Sequence, residues 1–322
     1  MKQWLRLVMF SVVTAFCAGA AMAQGFPSKP VHIVVPFPPG GTADVLARLV
    51  GQKMSESLGQ QVLVENRPGG GTVIGTEYTA RAPADGYTLL VMANSFTINP
   101  AVHAKLPYDP LKDFAPVTLL VSSPQVLVVN PALPVKSLAE FGALVKSRPG
   151  KFSLATVGPA TTQHIASELL KNVMKLEMIY VPYPGGAPAM TALVGGHVDA
   201  VLANYSEVAP HVLSGKARAI AVTSLERTDT LKDVPTVSES GFPGFEAVAW
   251  FGLVATGGSP PAAIARLNAE ANKALKAPDV REKLIAQGMY PVGNTPAEFD
   301  AHIRSEMAKY AKVIKEAGIK VE

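Results

Sequence analysis

One cysteine among 322 residues is the first scarcity. It is Cys17, inside an apolar stretch at residues 7–20 that follows Lys2 and Arg6 and ends in Ala21-Met22-Ala23. A short basic start, an apolar run and an A-x-A site make a secretory signal peptide over 1–23, with Gln24 as the first mature residue. The run is shorter than the ~20 residues that span a bilayer, which argues against a retained anchor. Phe16 before Cys17 is too large for a lipoprotein cleavage site. Cleavage removes the only thiol, so the mature chain has no disulfide, thiolate metal site or cysteine nucleophile. Loss of Lys2 and Arg6 lowers the formal net charge from +4 to +2.

Other absences narrow the function. No Lys/Arg cluster interrupts the chain, so nucleic acid has no electrostatic footprint. There is no Gly-x-Ser-x-Gly elbow and no His-Glu-x-x-His. The six histidines are scattered singly, without ligand spacing. Asn66-Arg67-Pro68-Gly69-Gly70-Gly71-Thr72 is glycine-rich but has neither the Gly-Lys-Ser/Thr ending of a P-loop nor Rossmann spacing. It reads as a structural turn, with a place on the cleft rim as the other reading, and no cofactor is expected. Catalysis by residues distant in sequence stays open.

What is present is alternation. Residues 31–35 read as a buried strand, and Val45, Leu46, Leu49, Val50 and Met54 then recur at helical spacing. Strands at 61–65 and 87–93 flank a short helix at 75–82. This β-α-β-α-β order predicts a mostly parallel sheet with helices on both faces. An apolar stretch at 117–129, interrupted by Ser122-Ser123-Pro124-Gln125, reads as a crossover. The pattern then restarts, with helices at 137–147, 161–175 and 187–195 and strands at 151–156, 178–182, 199–203 and 217–223. Residues 247–255 form a second apolar stretch that returns, with Trp250 read as hinge core. Ser259-Pro260 predicts a helix start, and Thr295-Pro296-Ala297-Glu298 a capping box. About 300 residues tend to split into two lobes, and two crossovers between α/β lobes make a hinge. A single doubly wound domain would not explain the restart.

One internal similarity suggests a site. Val35-Pro36-Phe37-Pro38-Pro39-Gly40-Gly41 and Val181-Pro182-Tyr183-Pro184-Gly185-Gly186 both run from strand through Pro-aromatic-Pro and Gly-Gly into a helix. Prolines stiffen such a turn, glycines admit close approach, and the helix N-terminus offers free N–H groups. That geometry binds anions, at the strand ends where ligands of open α/β sheets sit. The turn from Thr156 to His164 adds hydroxyls, and His164 can either cap its helix or donate to a ligand. Asp44 suits its own helix N-terminus better than an anion site, a cationic ligand group being the other reading. Ser95, Phe96 and Thr97 follow a strand and could line a cleft.

These residues carry a resemblance. The Pro36–Asp44 turn, then Glu65-Asn66-Arg67-Pro68-Gly69-Gly70-Gly71, Ile98-Asn99-Pro100, Gly195-Gly196-His197-Val198-Asp199 and Trp250-Phe251-Gly252-Leu253, resemble the Bug family in order along the mature chain. Those are extracytoplasmic receptors of tripartite tricarboxylate transporters. The resemblance implies an α/β, two-lobed type II periplasmic binding-protein fold with a hinge of two crossover strands. It puts lobe 1 at 24–123 and 253–322, and lobe 2 at 124–252. It implies a monomeric periplasmic receptor, not an enzyme, that captures a small mono- or dicarboxylate for a two-subunit inner-membrane permease. Carried over, the site comprises Phe37, Gly40, Gly41, Thr42, Asp44, Ser95 and Thr97 in lobe 1. In lobe 2 it comprises Thr156, Gly158, Thr161, Thr162, His164 and Gly186, with Asn204 where relatives with amino-acid ligands carry an acid. That departure favours a plain carboxylate. A sensor subunit for a membrane kinase and a secreted hydrolase are the alternatives.

Overall fold

The computed structural model describes residues 25–157 and 161–316. The signal-peptide expectation for 1–23 and the site expectation for Gly158 lie outside the described residues.

The first lobe opens with β1 (Val31–Val35), α1 (Thr42–Leu58), β2 (Val62–Asn66), α2 (Val73–Ala80), β3 (Thr88–Ala93) and α3 (Asn94–Val102). β1 pairs in parallel with both β2 and β3. Its valines and isoleucine are buried on both faces, as a central parallel strand requires. α1 buries Leu46, Ala47, Val50, Met54 and Leu58 at helical spacing against this sheet. Each such large side chain contributes about 1.5–3 kcal/mol by leaving water. Gly59, left-handed at φ 68°, stops the helix.

β4 (Phe114–Val129) joins the lobes in one 16-residue strand. The second lobe follows with α4 (Leu138–Ser147), β5 (Ser153–Thr156), α5 (Thr162–Met174), β6 (Ile179–Pro182), α6 (Gly186–Val194), β7 (Ala200–Asn204), α7 (Tyr205–Leu213) and β8 (Arg218–Val222). The chain returns along β9 (Val248–Thr256) and finishes with α8 (Pro261–Lys276), α9 (Pro278–Ala286), β10 (Tyr290–Pro291) and α10 (Pro296–Glu316). From Phe114 to Pro124, β4 pairs antiparallel with β9. From Gln125 to Val129 it pairs with β7. The strand changes lobe at the polar interruption of the apolar stretch. The sheet order is β2-β1-β3-β9-β4-β7-β5-β6. Separate apolar cores form around α1 and α8 on one side and around α4 and α5 on the other.

Three details differ from expectation. Each half-sheet is mixed, because β9 and β4 run antiparallel to their neighbours. α8 starts at Pro261 with Pro260 before it, and the Ser259 hydroxyl donates back to the Thr256 carbonyl (2.7 Å) instead of capping. Residues 94–102 and 205–213 are helices that periodicity did not reveal, each with a proline inside. The Thr295 capping box forms, with Thr295 N–H donating to Glu298 Oε2 at 2.8 Å.

Candidate functional site

Several helices start where parallel strands end, and four of them frame the cleft. Gly41 precedes α1, Thr161 precedes α5, Gly185 precedes α6 and Asn204 precedes α7. All four helix starts border one cavity between the lobes, with an empty volume of about 630 Å³ including its mouth. Its lobe 1 wall has Phe37, Pro38, Gly41, Thr42 and Ser95, with Phe251 from the returning strand. Its lobe 2 wall has Thr161, Thr162, Gln163, Gly185, Gly186, Asn204 and Glu207. Among the described residues, no lysine or arginine lines it.

The two walls touch. Thr42 Oγ1 lies 2.7 Å from Ser206 Oγ and accepts from Asn204 Nδ2 at 3.2 Å. A Cβ on Gly185 would stand 3.5 Å from the Pro38 ring. The paired proline-glycine turns therefore meet face to face, and the molecule is closed across the cleft. Gly41 and Gly185 both precede their helices without a side chain to cap them, so the first N–H groups are met by what faces them across the cleft, which for Thr42 is the Glu207 carboxyl.

Of the expected site residues, Phe37, Gly41, Thr42, Ser95, Thr161, Thr162, Gly186 and Asn204 reach the cavity. Five others do not. Gly40 is left-handed at φ 83°, and its N–H is used by Asp44 Oδ2 at 3.0 Å. Asp44 faces away from the cavity, accepting from Arg48 Nε at 3.0 Å and from Asn66 Nδ2 at 2.9 Å. Burial alone would raise its carboxyl, but the bonds from Arg48, Gly40 and Asn66 outweigh it and hold it below the ordinary aspartate value. Asn66 also donates to the Phe37 carbonyl at 3.1 Å, so Asp44 shapes the turn instead of touching a ligand.

Thr97 is buried and donates to the Asn94 carbonyl (2.8 Å), which ties it to its own helix. Ser95, two residues earlier, turns to the cavity and accepts from Thr72 Oγ1 at 3.1 Å. A loop would have let both residues point the same way, but a helix separates them. Thr156 and His164 pair with each other, Oγ1 to Nδ1 at 3.0 Å, behind the lining. The His164 ring packs tilted on Tyr180, and burial lowers its pKa. His164 thus braces the start of α5, where its N–H donates to Thr161 Oγ1 at 3.3 Å.

Sequence reasoning passed over Glu207. It lies in the first turn of α7 and is the only charged side chain on the cavity wall among the described residues. Its remaining accessible surface opens into the cavity, and the surrounding packing desolvates the carboxyl, pushing it up to about 7. Donors on Asn204, Thr42 and Gln163 oppose that shift without cancelling it. The Asn204 N–H donates to Glu207 Oε2 at 3.3 Å. The return bond of this capping box is weak, and Asn204 Oδ1 has no well-formed partner. The spacing Asn204-x-x-Glu207 is itself a capping-box signature, and it could have revealed both the helix and the acid.

A sequence profile described as the tripartite tricarboxylate transporter family receptor, TctC, matches residues 46–319. The chain belongs to the TctC receptor family. Among curated TctC relatives, protein BugT of Bordetella pertussis is 38% identical over 324 residues, covering 100% of this chain and 99% of BugT. Three solved TctC-like structures share the fold. The periplasmic binding protein BugD superposes with a TM-score of 0.88 at 34% identity, covering 92% of this chain and 99% of BugD. Rpa4515 of R. palustris with adipate gives 0.89 at 35%, covering 92% and 99%. MatC of Rhodopseudomonas palustris with bound malate gives 0.85 at 35%, covering 90% and 100%. The two-lobed periplasmic-binding-protein architecture of the TctC receptors is therefore the fold of this chain.

Proposed function

We propose that this chain is a periplasmic receptor that closes its two lobes on a small organic carboxylate and delivers it to a two-subunit membrane permease. The observation that carries the reading is the convergence of four helix N-termini, from both lobes, on one cavity with no basic side chain among its described residues. Each N-terminus contributes roughly 0.3–1 kcal/mol toward an anion, and more where water is excluded. Backbone N–H groups and the hydroxyls of Thr42, Ser95, Thr161 and Thr162 then hold the carboxylate. The apolar wall, with Phe37, Pro38 and Phe251, packs the ligand body. Micromolar affinity, about 8 kcal/mol, is within reach of such a set. The relatives with adipate and with malate support a dicarboxylate.

Lobe 1 comprises 24–123 and 253–322, and lobe 2 comprises 124–252. The partner exchange of β4 between Pro124 and Gln125 supports the first boundary. The protein works as a monomer, is exported by its N-terminal signal and leaves its ligand chemically unchanged. A thermal-shift screen of organic acids tests the reading, because a ligand that binds only the folded state raises the melting temperature by mass action. Adipate or malate, each recovered intact after incubation, is expected to raise it. No shift with any mono- or dicarboxylate would overturn the proposal.

A further inference from the structure

Glu207 poses a problem that the carboxylate reading does not solve. The anion position at the start of α1 already has a carboxylate against it. The N–H and hydroxyl of Thr42, in lobe 1, are directed at the Glu207 carboxyl, in lobe 2, and so is the Gln163 side chain. Gly41, at the other side of that helix start, would bring a Cβ to 3.7 Å from Glu207 Oε1. At Gly186 a Cβ would run into the Glu207 carboxyl itself. Glu207 therefore sits against both glycine turns at once, where the ligand's carboxylate is expected. Two ionised carboxylates cannot share such a site when no cation lines it among the described residues.

We infer that Glu207 exchanges with the ligand: the incoming carboxylate takes over the Thr42 donors, and Glu207 takes up one proton from water and donates it in a hydrogen bond to that carboxylate. The inference rests on the carboxylate reading above. It makes Glu207 a specificity residue that admits an anion only together with a proton. An ammonium group is the other partner an acid could have. The Glu207 oxygens already face donors from Asn204, Thr42 and Gln163, which leaves little acceptor capacity for one. Burial has brought the carboxyl to about 7, so the proton is available near neutrality.

Other titratable groups on the surrounding elements do not compete. Asp44 on α1 is paired with Arg48. On α5, His164 is bonded to Thr156 and Glu168 pairs with Lys171. Tyr183 precedes α6, and Tyr205 and His211 lie on α7 itself. None of them is among the groups that move the Glu207 carboxyl. α6 and β7 carry no titratable side chain.

Calorimetric titration of the mature chain with adipate and with malate, in buffers of different ionisation enthalpy, counts the protons. The uptake per ligand, less that of Glu207→Gln at the same pH so that the ligand's own titration cancels, is expected to approach one proton at pH 8 and none at pH 5.5. Affinity is expected to fall about tenfold per pH unit above about 7, the linkage of a single proton. Glu207→Gln, whose amide can donate without titrating, should bind with no uptake and a flat pH profile between pH 7 and 8.5, where the ligand is fully ionised. Glu207→Asp keeps the acid and should keep the uptake, which covers the case of a Gln variant that fails to fold. Binding by the wild type without proton uptake at pH 8 would overturn the inference and leave the carboxylate reading standing. So would aspartate binding that strengthens above pH 7 and is lost in Glu207→Gln. Absence of binding to any acid between pH 5.5 and 8.5 would overturn both.

Discussion

Asp44 and Glu207 are two acids in the first turns of two helices that face each other, and the structure treats them oppositely. Asp44 meets a guanidinium, a backbone N–H and a side-chain amide, and is held ionised below the usual aspartate range. Glu207 meets only neutral donors in a desolvating cleft, and its carboxyl rises to about 7. Helix position alone would favour the ionised form of both. The difference lies in what crosses from other elements: Arg48 and Asn66 reach Asp44, whereas the opposite lobe closes over Glu207 without a cation. A carboxylate at a helix start can thus be scaffold or switch according to its neighbours.

The largest test of this contrast is Gly41→Asp. It adds a third carboxylate beside Glu207 at the lobe 1 helix start. Loss of organic-acid binding by roughly 1000-fold, about 4 kcal/mol, is expected in calorimetry with the circular-dichroism spectrum unchanged. Unchanged affinity would show that the start of α1 is not the anion site. Gly186→Ala comes next, since its Cβ needs the space of the Glu207 carboxyl. The acid must swing away or the lobes must stay apart, and a roughly 10- to 100-fold loss is expected, about 1.4–2.7 kcal/mol. Small-angle scattering of the variant should show a more open molecule.

The pH dependence of unliganded stability separates the two acids. The folded-state pKa of Glu207 is raised from 4.5 to about 7, so its contribution is present below 4.5 and is lost as pH rises through about 7. Asp44 is lowered from 3.8, so its contribution is present above 3.8 and is lost as pH falls through its lower folded value. Urea denaturation should show Glu207→Gln removing the decline towards neutral pH. Asp44→Asn should flatten the acid side and cost about 1 kcal/mol near pH 7 through the loosened Gly40 turn. The smallest effect belongs to Thr97→Val. With its hydroxyl turned to the Asn94 carbonyl, the change should cost about 1 kcal/mol of stability and leave ligand affinity within roughly twofold.

Much of the fold was legible because its cues are local. The buried β-branched runs, the helical spacing in α1 and the Thr295 capping box lie within a few residues of each other, and each formed where the pattern placed it. The paired proline-glycine turns were legible for the same reason, being strand end, stiff turn and helix start in one continuous segment. Side-chain direction was not. Ser95 and Thr97 look alike in a loop, but on α3 one faces the cavity and the other its own backbone. Thr156 and His164 carry suitable polar groups, yet they satisfy each other behind the wall.

The sequence by itself determined an alternating α/β chain, a polar interruption in a long apolar stretch, and two proline-glycine turns that each join a strand end to a helix start. Tertiary structure decided which donors remain free and which acid loses its water. Those properties depend on groups far apart in the chain, such as Thr42 and Glu207, which meet only when the lobes close. Desolvation belongs to the assembled cleft and to no residue alone.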